Sequence, residues 1–343
     1  MYLASLDASK AFDRLNHLKL FTTLNNTKVP KLFIRLIINW YSKLNARVKW
    51  NGCLSDSFVI NSGVRQGGIL SPLLFNCYVN VLLITLRHSD LGCKLRNVYV
   101  GCIMYADDLI LISASIIHLQ SMLDICSCVG MSLGLKFNSA KSHCLLIGPS
   151  PVAHLPSMTL DGLDVNWYEK LKYLGVWIVA DKTFNIDLAE SRRKFFISVN
   201  CILSKTKFAC DLVKLKLLEN YCLSSLMYCI ECGILNDKQL QMINSWWNSA
   251  FRKIFGFFKW ESVRNLICTL GKINLTYLEN LRRLNFIKNL KCATNNLTMS
   301  CLTHYYMRTG EFQGLLNKHN IDIFWSFSKI RLAIFNHFED SCK

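Results

Sequence analysis

Three aspartates in this sequence stand where apolar segments are interrupted. Asp107 and Asp108 break the apolar stretch 98–113. Asp7 ends the apolar segment 2–6. Carboxylates next to buried segments carry a large desolvation penalty unless a positive charge faces them. Mg2+ and Mn2+ suit hard oxygen ligands and are usually held by one or two carboxylates together with substrate phosphates. The pattern therefore predicts a divalent-metal site, with an exposed Asp-Asp turn as the alternative for the pair taken alone.

The elements that must position these acids follow from the same pattern. An apolar strand, an acidic tip and a second apolar strand are typical of a tight β-hairpin, which predicts a turn at residues 105–108. Residues 2–7 read as a short strand that stops on an acid. If this strand and the hairpin are neighbours in one sheet, Asp7 meets Asp107 and Asp108 at one edge of it.

A second candidate site is the glycine-rich segment 63–72. Glycine allows the backbone to approach a ligand closely, and Arg65 and Gln66 lie beside such glycines. Ser71-Pro72 predicts the N-cap and first turn of a helix that continues to about residue 88. We interpret the segment as a nucleotide-contacting loop fixed to a helix start, with a flexible turn as the alternative.

Composition narrows the class of protein. The chain has 343 residues, of which 51% are hydrophobic, and this argues against disorder. Its formal net charge is +17, shared as +7 in residues 1–178 and +10 in residues 179–343, which predicts a polyanionic partner such as nucleic acid. The longest apolar run, Pro72–Leu86, is too short to span a bilayer, so no membrane partner is expected.

The cysteines indicate a reducing cell compartment and do not indicate a zinc site. The 16 cysteines are irregularly spaced, which predicts a reducing intracellular location, in the nucleus, the cytoplasm or both. Cys229 and Cys232 form a Cys-x-x-Cys motif without a second Cys or His pair at finger spacing, so no zinc site is predicted.

The coarse pattern predicts an α+β region followed by an all-helical region, with the boundary near residue 180. In the first, Pro30 opens a helix whose core face carries Phe33, Leu36, Ile37 and Trp40. Residues 163–167 and 173–178 form a last strand pair. In the second, Asp211 and Asp237 are the predicted N-caps of two helices. Basic residues there alternate with aromatics at 192–196 and 246–255. Together with the charge of +10, this predicts a groove that tracks a nucleic-acid backbone, with ordinary amphipathic helices as the alternative.

Taken in order, these motifs resemble the reverse transcriptases of non-LTR, LINE-type retrotransposons. Five motifs occur in that family's order, and a further segment, Trp247–Gly256, resembles the region after the palm in the jockey and CR1-like branches. The motifs are Leu6-Asp7-Ala8-Ser9-Lys10-Ala11-Phe12-Asp13 with His17; Gly63-Val64-Arg65-Gln66-Gly67 through Leu70-Ser71-Pro72; Tyr105-Ala106-Asp107-Asp108; Gly134-Leu135-Lys136-Phe137-Asn138 with Lys141; and Leu171-Lys172-Tyr173-Leu174-Gly175.

The resemblance implies a catalytic centre for RNA-directed DNA polymerisation. Asp7 and Asp107 match the pair that binds two Mg2+ (or Mn2+) ions, and Asp108 matches the second acid of the hairpin. Lys141 matches a lysine proposed to protonate the leaving pyrophosphate, with a surface lysine as the alternative. The cofactor is thus a divalent metal, and the enzyme a nucleotidyltransferase.

The resemblance also assigns residues to the substrates. Phe12 matches the aromatic that excludes a 2′ hydroxyl, although a core aromatic has the same signature. Gln66 and Gly67, beside Arg65, match the loop under the incoming nucleotide. Tyr173, Leu174 and Gly175 match the hairpin that holds the primer end. His17 fits the motif without a clear chemical task. The implied partners are an RNA template, a DNA primer and dNTPs.

The implied architecture is a polymerase palm, an antiparallel sheet with packed helices, over residues 1–180, and a helical thumb with a C-terminal helical region over 181–343. The family's fingers region normally precedes Asp7, and an endonuclease region normally lies further upstream; both are expected on the same polypeptide and are missing here. We therefore expect poor polymerisation by this chain alone. The alternative function is an inactive remnant or a co-opted nucleic-acid-binding protein.

Overall fold

The computed structural model describes residues 1–95, 97–149, 155–232, 235–303, 310–322 and 324–342. The chain divides into two compact units, residues 1–184 and 185–343. It is 52% helical with an antiparallel sheet, which confirms the α+β fold class. The names palm and thumb for parts of this chain remain predictions.

The first unit is built on short strands. They are β1 (Tyr2–Asp7), β2 (Asn45–Ala46), β3 (Lys49–Trp50), β4 (Cys53–Leu54), β5 (Phe58–Val59), β6 (Lys94–Leu95), β7 (Val98–Tyr99), β8 (Cys102–Tyr105), β9 (Asp108–Ser113), β10 (His143–Leu146), β11 (Met158–Leu160), β12 (Leu163–Val165), β13 (Lys170–Tyr173) and β14 (Val176–Val179). Four of them form the main antiparallel sheet in the order β10-β1-β9-β8. The strand carrying Asp7 is therefore hydrogen-bonded to the strand carrying Asp108, and the predicted neighbourhood is confirmed.

The helices of the first unit are α1 (Ala11–Arg14), α2 (His17–Asn25), α3 (Lys31–Tyr41), α4 (Ser71–His88) and α5 (Ile116–Leu133), with a 3-10 turn at Ser139–Lys141. Two of them, α4 and α5, pack on one face of this sheet, and α2 packs on α4. Side chains alternate between the two faces of a strand. Accordingly Ala4 and Leu6 of β1 lie in the core that includes α4 and α5, whereas Leu3 packs on the opposite face with Leu171 of β13 and Ile178 of β14.

Helix α3 presents a different face to the core from the one predicted. Ile34, Ile37 and Tyr41 are buried, whereas Phe33 and Trp40 are 60% and 44% exposed, and Leu36 is also exposed. The helix has apolar residues on more than one side, so its hydrophobic period does not select one face. Only the tertiary packing does.

The predicted pairing of residues 163–167 with 173–178 is wrong. Strand β12 pairs with β11, and β13 pairs with β14 around Leu174-Gly175. Each segment is thus half of its own local hairpin, which needs less chain to close. Ser71 is also not an N-cap: it is the first residue of α4, with Leu70 before it, and its side chain is buried.

Helix α5 is long and apolar enough to cross a membrane by length and composition alone. Its Leu119, Met122 and Leu123 side chains are fully buried against the rest of the first unit. The Gln120 amide donates to the Thr159 carbonyl at 2.9 Å. Packing inside the unit accounts for this apolar composition.

The described residues of the second unit form helices apart from β15 (Asn185–Asp187) and the connecting loops. Its helices are α6 (Ala189–Lys205), α7 (Asp211–Leu218), α8 (Ser224–Leu226), α9 (Asp237–Phe255), α10 (Arg264–Thr269), α11 (Leu275–Lys291), α12 (Asn296–Cys301), α13 (Glu311–Lys318) and α14 (Phe327–Asp340), with a π-helical turn at Glu219–Leu223 and a 3-10 turn at Ile230–Cys232. Asp211 and Asp237 are first helical residues rather than N-caps. Asn236 is the N-cap of α9. Its side chain accepts the Gln239 N–H, and the Gln239 side chain accepts the Asn236 N–H, so the two residues form a reciprocal capping box.

The predicted basic and aromatic groove is wrong for three of its aromatics. Phe195, Trp246 and Trp247 are buried in the core of the second unit. The Arg192 guanidinium lies 6.0 Å from the Trp246 ring, at the edge of this core. Basic and aromatic residues alternate here because the helix is amphipathic, with one face exposed to solvent and the other buried.

A buried histidine pair joins three of the C-terminal helices. His319 follows α13 and is 4% exposed. Its Nδ1 lies 2.9 Å from Nδ1 of His337 in α14, and its Nε2 lies 3.0 Å from the Asn280 amide nitrogen in α11. Burial, with His337 and Lys318 nearby, lowers the pKa of His319 to about 4. The His319 imidazole is therefore neutral at pH 7.

Candidate active site

The acidic tip lies in a two-residue turn between β8 and β9. Tyr105 pairs with Asp108, and Ala106-Asp107 makes the turn, so the predicted hairpin is confirmed. Ala106 has a φ of +54°, a left-handed conformation that costs a residue with a Cβ about 1–2 kcal/mol. Across the sheet, Asp7 lies directly opposite Asp108. The register thus brings these two acids to one edge of the sheet, with Asp107 beside them.

The charges of Asp7 and Asp107 affect the ionisation of Asp108. Desolvation raises the pKa of Asp108, and the charges of Asp107 and Asp7 raise it further. Lys141 supplies a counter-charge, with its Nζ 4.0 Å from the Asp7 carboxylate. Both side chains of that pair are partly exposed, so it contributes little. A cation placed among the acids would relieve their repulsion.

Asp7 is also held through its backbone. Its N–H donates to the Ser142 hydroxyl at 3.3 Å, and its carbonyl accepts the Asn138 N–H at 2.9 Å. Asn138 and Ser142 flank the 3-10 turn that ends at Lys141. The segment around Lys141 is therefore fixed against the end of β1.

A cavity of about 420 Å³ opens at this end of the sheet. It is lined by Ser5, Leu6, Asp7, Asp108, Lys141, His143, Tyr168, Lys170, Lys172 and Trp177. Of these, only Asp7, Asp108 and Lys141 were predicted as site residues from the sequence. Lys170 and Lys172 stand two residues apart in one strand and so point to the same face, a period that the sequence does display. The cavity combines carboxylates with three lysines, a chemistry suited to a metal–phosphate ligand.

The predicted primer hairpin lies next to the acidic one. Leu174 and Gly175 form the turn between β13 and β14, with φ values of +46° and +84°. The Tyr173 hydroxyl donates to the Ile103 carbonyl of β8 at 3.4 Å. Burial, and to a lesser degree the Asp108 charge, raise the pKa of Tyr173 to about 12. Tyr173 is thus a protonated phenol beside the acidic strand.

The loop with Arg65, Gln66 and Gly67 is fixed from one side. The Gly63 carbonyl lies 2.7 Å from Nε2 of His17, which gives His17 a task that the sequence did not reveal. The Gly63 N–H donates to Leu15, also at 2.7 Å. His17 therefore holds the start of the loop against the turn that precedes α2.

Beyond this anchor the loop borders a cavity of about 310 Å³, which Asp13, Arg65 and Gln66 help to line. The Gln66 amide lies 3.5 Å from the Asp13 carboxylate, and the Phe12 ring stacks on Phe75 with centroids 4.4 Å apart. Among the described residues, none lines both this cavity and the one at Asp7. The two groups of predicted residues border separate cavities.

Residues 1–178 match the family described as reverse transcriptase (RNA-dependent DNA polymerase). The chain belongs to the reverse transcriptase family. It is 38% identical over 147 residues to the retrovirus-related Pol polyprotein from the type-2 retrotransposable element R2DM of Drosophila melanogaster, covering 43% of this chain and 14% of that protein. It is 26% identical over 276 residues to the RNA-directed DNA polymerase from mobile element jockey of Drosophila funebris, covering 77% of this chain and 29% of that protein.

These relatives confirm the LINE-type assignment, and they do not favour the alternative of a co-opted binding protein. The reverse transcriptase chain spans less than a third of either relative. Apo telomerase from Candida tropicalis has a TM-score of 0.42 and 16% identity, covering 92% of this chain and 53% of that chain.

Reverse transcriptases generally depend on a divalent metal, and the acidic tip fits one by donor chemistry. Within the described parts of the chain, no three His, Cys, Asp or Glu side chains converge into a preformed metal cage. Two opposed carboxylates and an adjacent third are nevertheless the donors that a hard cation prefers, and Mg2+ commonly completes its shell with waters and substrate phosphates. The raised pKa of Asp108 reports the same need for a counter-charge.

Proposed function

We propose that this chain carries the polymerase centre of a LINE-type reverse transcriptase, which extends a DNA primer on an RNA template with dNTPs and Mg2+. The observation that supports it best is the register of β1 against β9, which sets Asp7 opposite Asp108 and beside Asp107. Residues 1–180 would serve as the palm, and 181–343 as the thumb and C-terminal helical region.

In this proposal Asp7, Asp107 and Asp108 hold the metal ions. When bound, such ions activate the primer 3′ hydroxyl and stabilise the charge on the leaving pyrophosphate. Lys141 lies close enough to Asp7 to share the cavity and would donate a proton to pyrophosphate. In this proposal a single exposed lysine beside the carboxylates acts as the general acid.

The remaining predicted residues would position the substrates. Phe12 is fixed by stacking on Phe75, which suits a rigid wall against a ribose 2′ hydroxyl. Arg65, Gln66 and Gly67 would contact the incoming nucleotide from the loop that His17 anchors. Tyr173, Leu174 and Gly175 would hold the primer end beside the acidic hairpin, to which the Tyr173 hydroxyl bonds.

The test is primer extension on an RNA template with Asp7→Asn, Asp107→Asn and Asp108→Asn variants. Because metal-borne charge stabilisation is worth several kcal/mol, we expect each of the first two to lower the rate by about 100-fold or more. Asp90→Asn is the matched control: Asp90 is an exposed aspartate with a φ of +62°, which Asn tolerates. Extension that survives in the Asp107→Asn variant would refute the proposal.

A second readout does not depend on turnover. Mn2+ binding, followed by electron paramagnetic resonance, should weaken in Asp7→Asn and Asp108→Asn but not in Asp90→Asn. Metal binding without extension by the parent chain would place the defect outside the metal site. Absence of both would favour an inactive remnant.

A further inference from the structure

Two helices of the second unit run in the same direction. Contacts between α6 and α9 include Arg192 with the Trp246 ring at 6.0 Å, and Lys253 with the Phe196 ring at 5.5 Å and with the Asn200 amide oxygen at 3.0 Å. Arg192, early in α6, thus contacts Trp246 of α9. Phe196 and Asn200 lie further along α6 and contact Lys253, which lies further along α9. The C-terminal ends of both helices therefore lie at the same end of the second unit.

The loops that leave these two helix ends expose large aromatic side chains. Phe208 after α6 is fully exposed, and Phe258 and Trp260 after α9 are 62% and 80% exposed. The rings of Phe258 and Trp260 are parallel within 1°, with centroids 5.1 Å apart. We call Phe208, Phe258 and Trp260 the terminal aromatic surface. Exposed apolar area of this kind is commonly a binding site.

The aromatic pair belongs to a tied turn. The Glu261 carboxylate accepts the Phe258 N–H at 2.5 Å, and the Glu261 carbonyl accepts Nε of Arg252 at 2.8 Å. Gly256 ends α9 with a φ of +72°. These bonds anchor the backbone on both sides of Trp260, so a ligand that stacks on it meets a partly pre-organised turn.

Positive charge accompanies the terminal aromatic surface. Lys205 and Lys207 precede Phe208, Lys259 separates the two stacked rings, and all three are exposed. The single acid of the second loop, Glu261, is engaged with the backbone. Aromatic faces flanked by cations are the features with which proteins bind single strands, since bases stack on the rings and phosphates contact the cations. A duplex offers no base faces along its length.

We propose that the terminal aromatic surface binds unpaired nucleotides of a single-stranded nucleic acid, with one base stacked on Trp260 and phosphates on Lys205, Lys207 and Lys259. This goes beyond the proposed polymerase centre, because it requires no metal ion and no residue of the first unit. The same strand chemistry occurs in RNA and DNA, and the experiment separates the two.

The test is fluorescence anisotropy with labelled 12-nucleotide RNA, DNA and duplex probes, in EDTA and at fixed salt, because affinity depends on salt. Stacking of one base is worth about 1–3 kcal/mol, so Trp260→Ala should weaken single-strand binding about 5- to 150-fold. Trp260→Phe should retain most of it. Trp50→Ala is the matched control, since Trp50 is 78% exposed in the first unit. Circular dichroism checks that each variant melts like the parent chain.

Abasic probes isolate the stacking itself. The parent chain and Trp260→Ala should bind an abasic strand equally, whereas Lys259→Gln should lower the dependence of log affinity on log salt by about 0.7. An equal loss in the Trp50 and Trp260 variants, or an undiminished Trp260→Ala effect on abasic strands, would overturn the proposal. So would a Trp260→Ala variant that alters self-association or vesicle binding but not strand affinity. Because the assay is run in EDTA and measures binding without extension, its result is separate from failure of the polymerase centre.

Discussion

Gly63 and Gly67 have the same backbone conformation but different surroundings. Both have a φ of +85°. A Cβ built on Gly63 would lie 2.9 Å from the Asp13 backbone, whereas a Cβ on Gly67 would meet nothing within 4 Å. The first glycine is thus required for both conformation and space, and the second for conformation alone. If Gly67 has a further role, it is toward a ligand.

We therefore predict different outcomes for two alanine substitutions. Gly67→Ala should lower the free energy of unfolding by about 1–2 kcal/mol, the cost of a Cβ in the left-handed region. Gly63→Ala should add an overpacking cost of about 1–3 kcal/mol, because the Asp13 backbone cannot move aside easily. Urea denaturation of the two variants measures the difference. Equal losses would mean that the loop relaxes around the added methyl group.

At the scale of elements, the hairpin β13–β14 has a turn that is not optimal for stability. Two-residue hairpin turns with two positive φ values favour Asn-Gly, and here Leu174 takes the Asn position at +46°. We predict that Leu174→Asn stabilises the first unit by about 0.5–1 kcal/mol. It should also reduce primer extension, if the leucine holds the primer. A melting curve and an extension assay on one preparation test both, and a more stable variant with full activity would remove Leu174 from the primer site.

The histidine pair should make the C-terminal helices sensitive to acid. The pKa of His319 is about 4 in the folded chain and near 6.5 when unfolded, so the unfolded state takes up its proton first as the pH falls. The contribution of His319 to stability is therefore present above pH 6.5 and is lost between 6.5 and 4. The loss reaches about 3 kcal/mol. Hydrogen exchange of α11 and α14 measures it.

A control isolates the titration from other acid effects. His319→Gln keeps hydrogen-bonding groups toward Asn280 and His337 but does not titrate. Exchange in this variant should depend less on pH between 6.5 and 4 than in the parent chain. Identical pH profiles would assign the acid sensitivity to other groups.

The elements show which parts of the fold the sequence predicts. The strand ending at Asp7 and the hairpin at Asp107 were predicted because apolar runs and an acidic break are local signals. The core face of α3 was not, since Leu36 and Ile37 are equally apolar and only tertiary contacts choose between them. The N-cap of α9 was misplaced by one residue, because Asn236 and Asp237 are both good caps.

The candidate site shows the same limit. The acids and the glycine loop carry motif signals, but the task of His17 depends on a carbonyl 46 residues away in sequence. Lys170 and Lys172 join the cavity only because β13 packs on the face of the sheet opposite α4 and α5. Contacts that depend on which element packs on which face are not contained in any local pattern.

At the scale of the whole molecule, each unit has a core of its own. Phe75 is fully buried in the core of the first unit, and Phe338 in that of the second. Truncating a buried Phe costs about 3–5 kcal/mol. We predict that Phe75→Ala speeds hydrogen exchange chiefly in residues 1–184 and Phe338→Ala chiefly in residues 185–343. Loss of protection throughout the chain in either variant would show that the two units unfold together.

The position of β1 in the main sheet affects how the chain emerges from a ribosome. β1 lies between β9 and β10, and its Tyr2 pairs with Leu146. A ribosome adding about 5–20 residues per second needs roughly 7–30 s to pass from one to the other. Until residue 113 this central, apolar strand has neither of its partners, and until residue 146 it has only β9. Nascent chains of this protein should therefore depend on chaperone protection of β1 until residue 146 has been released from the exit tunnel.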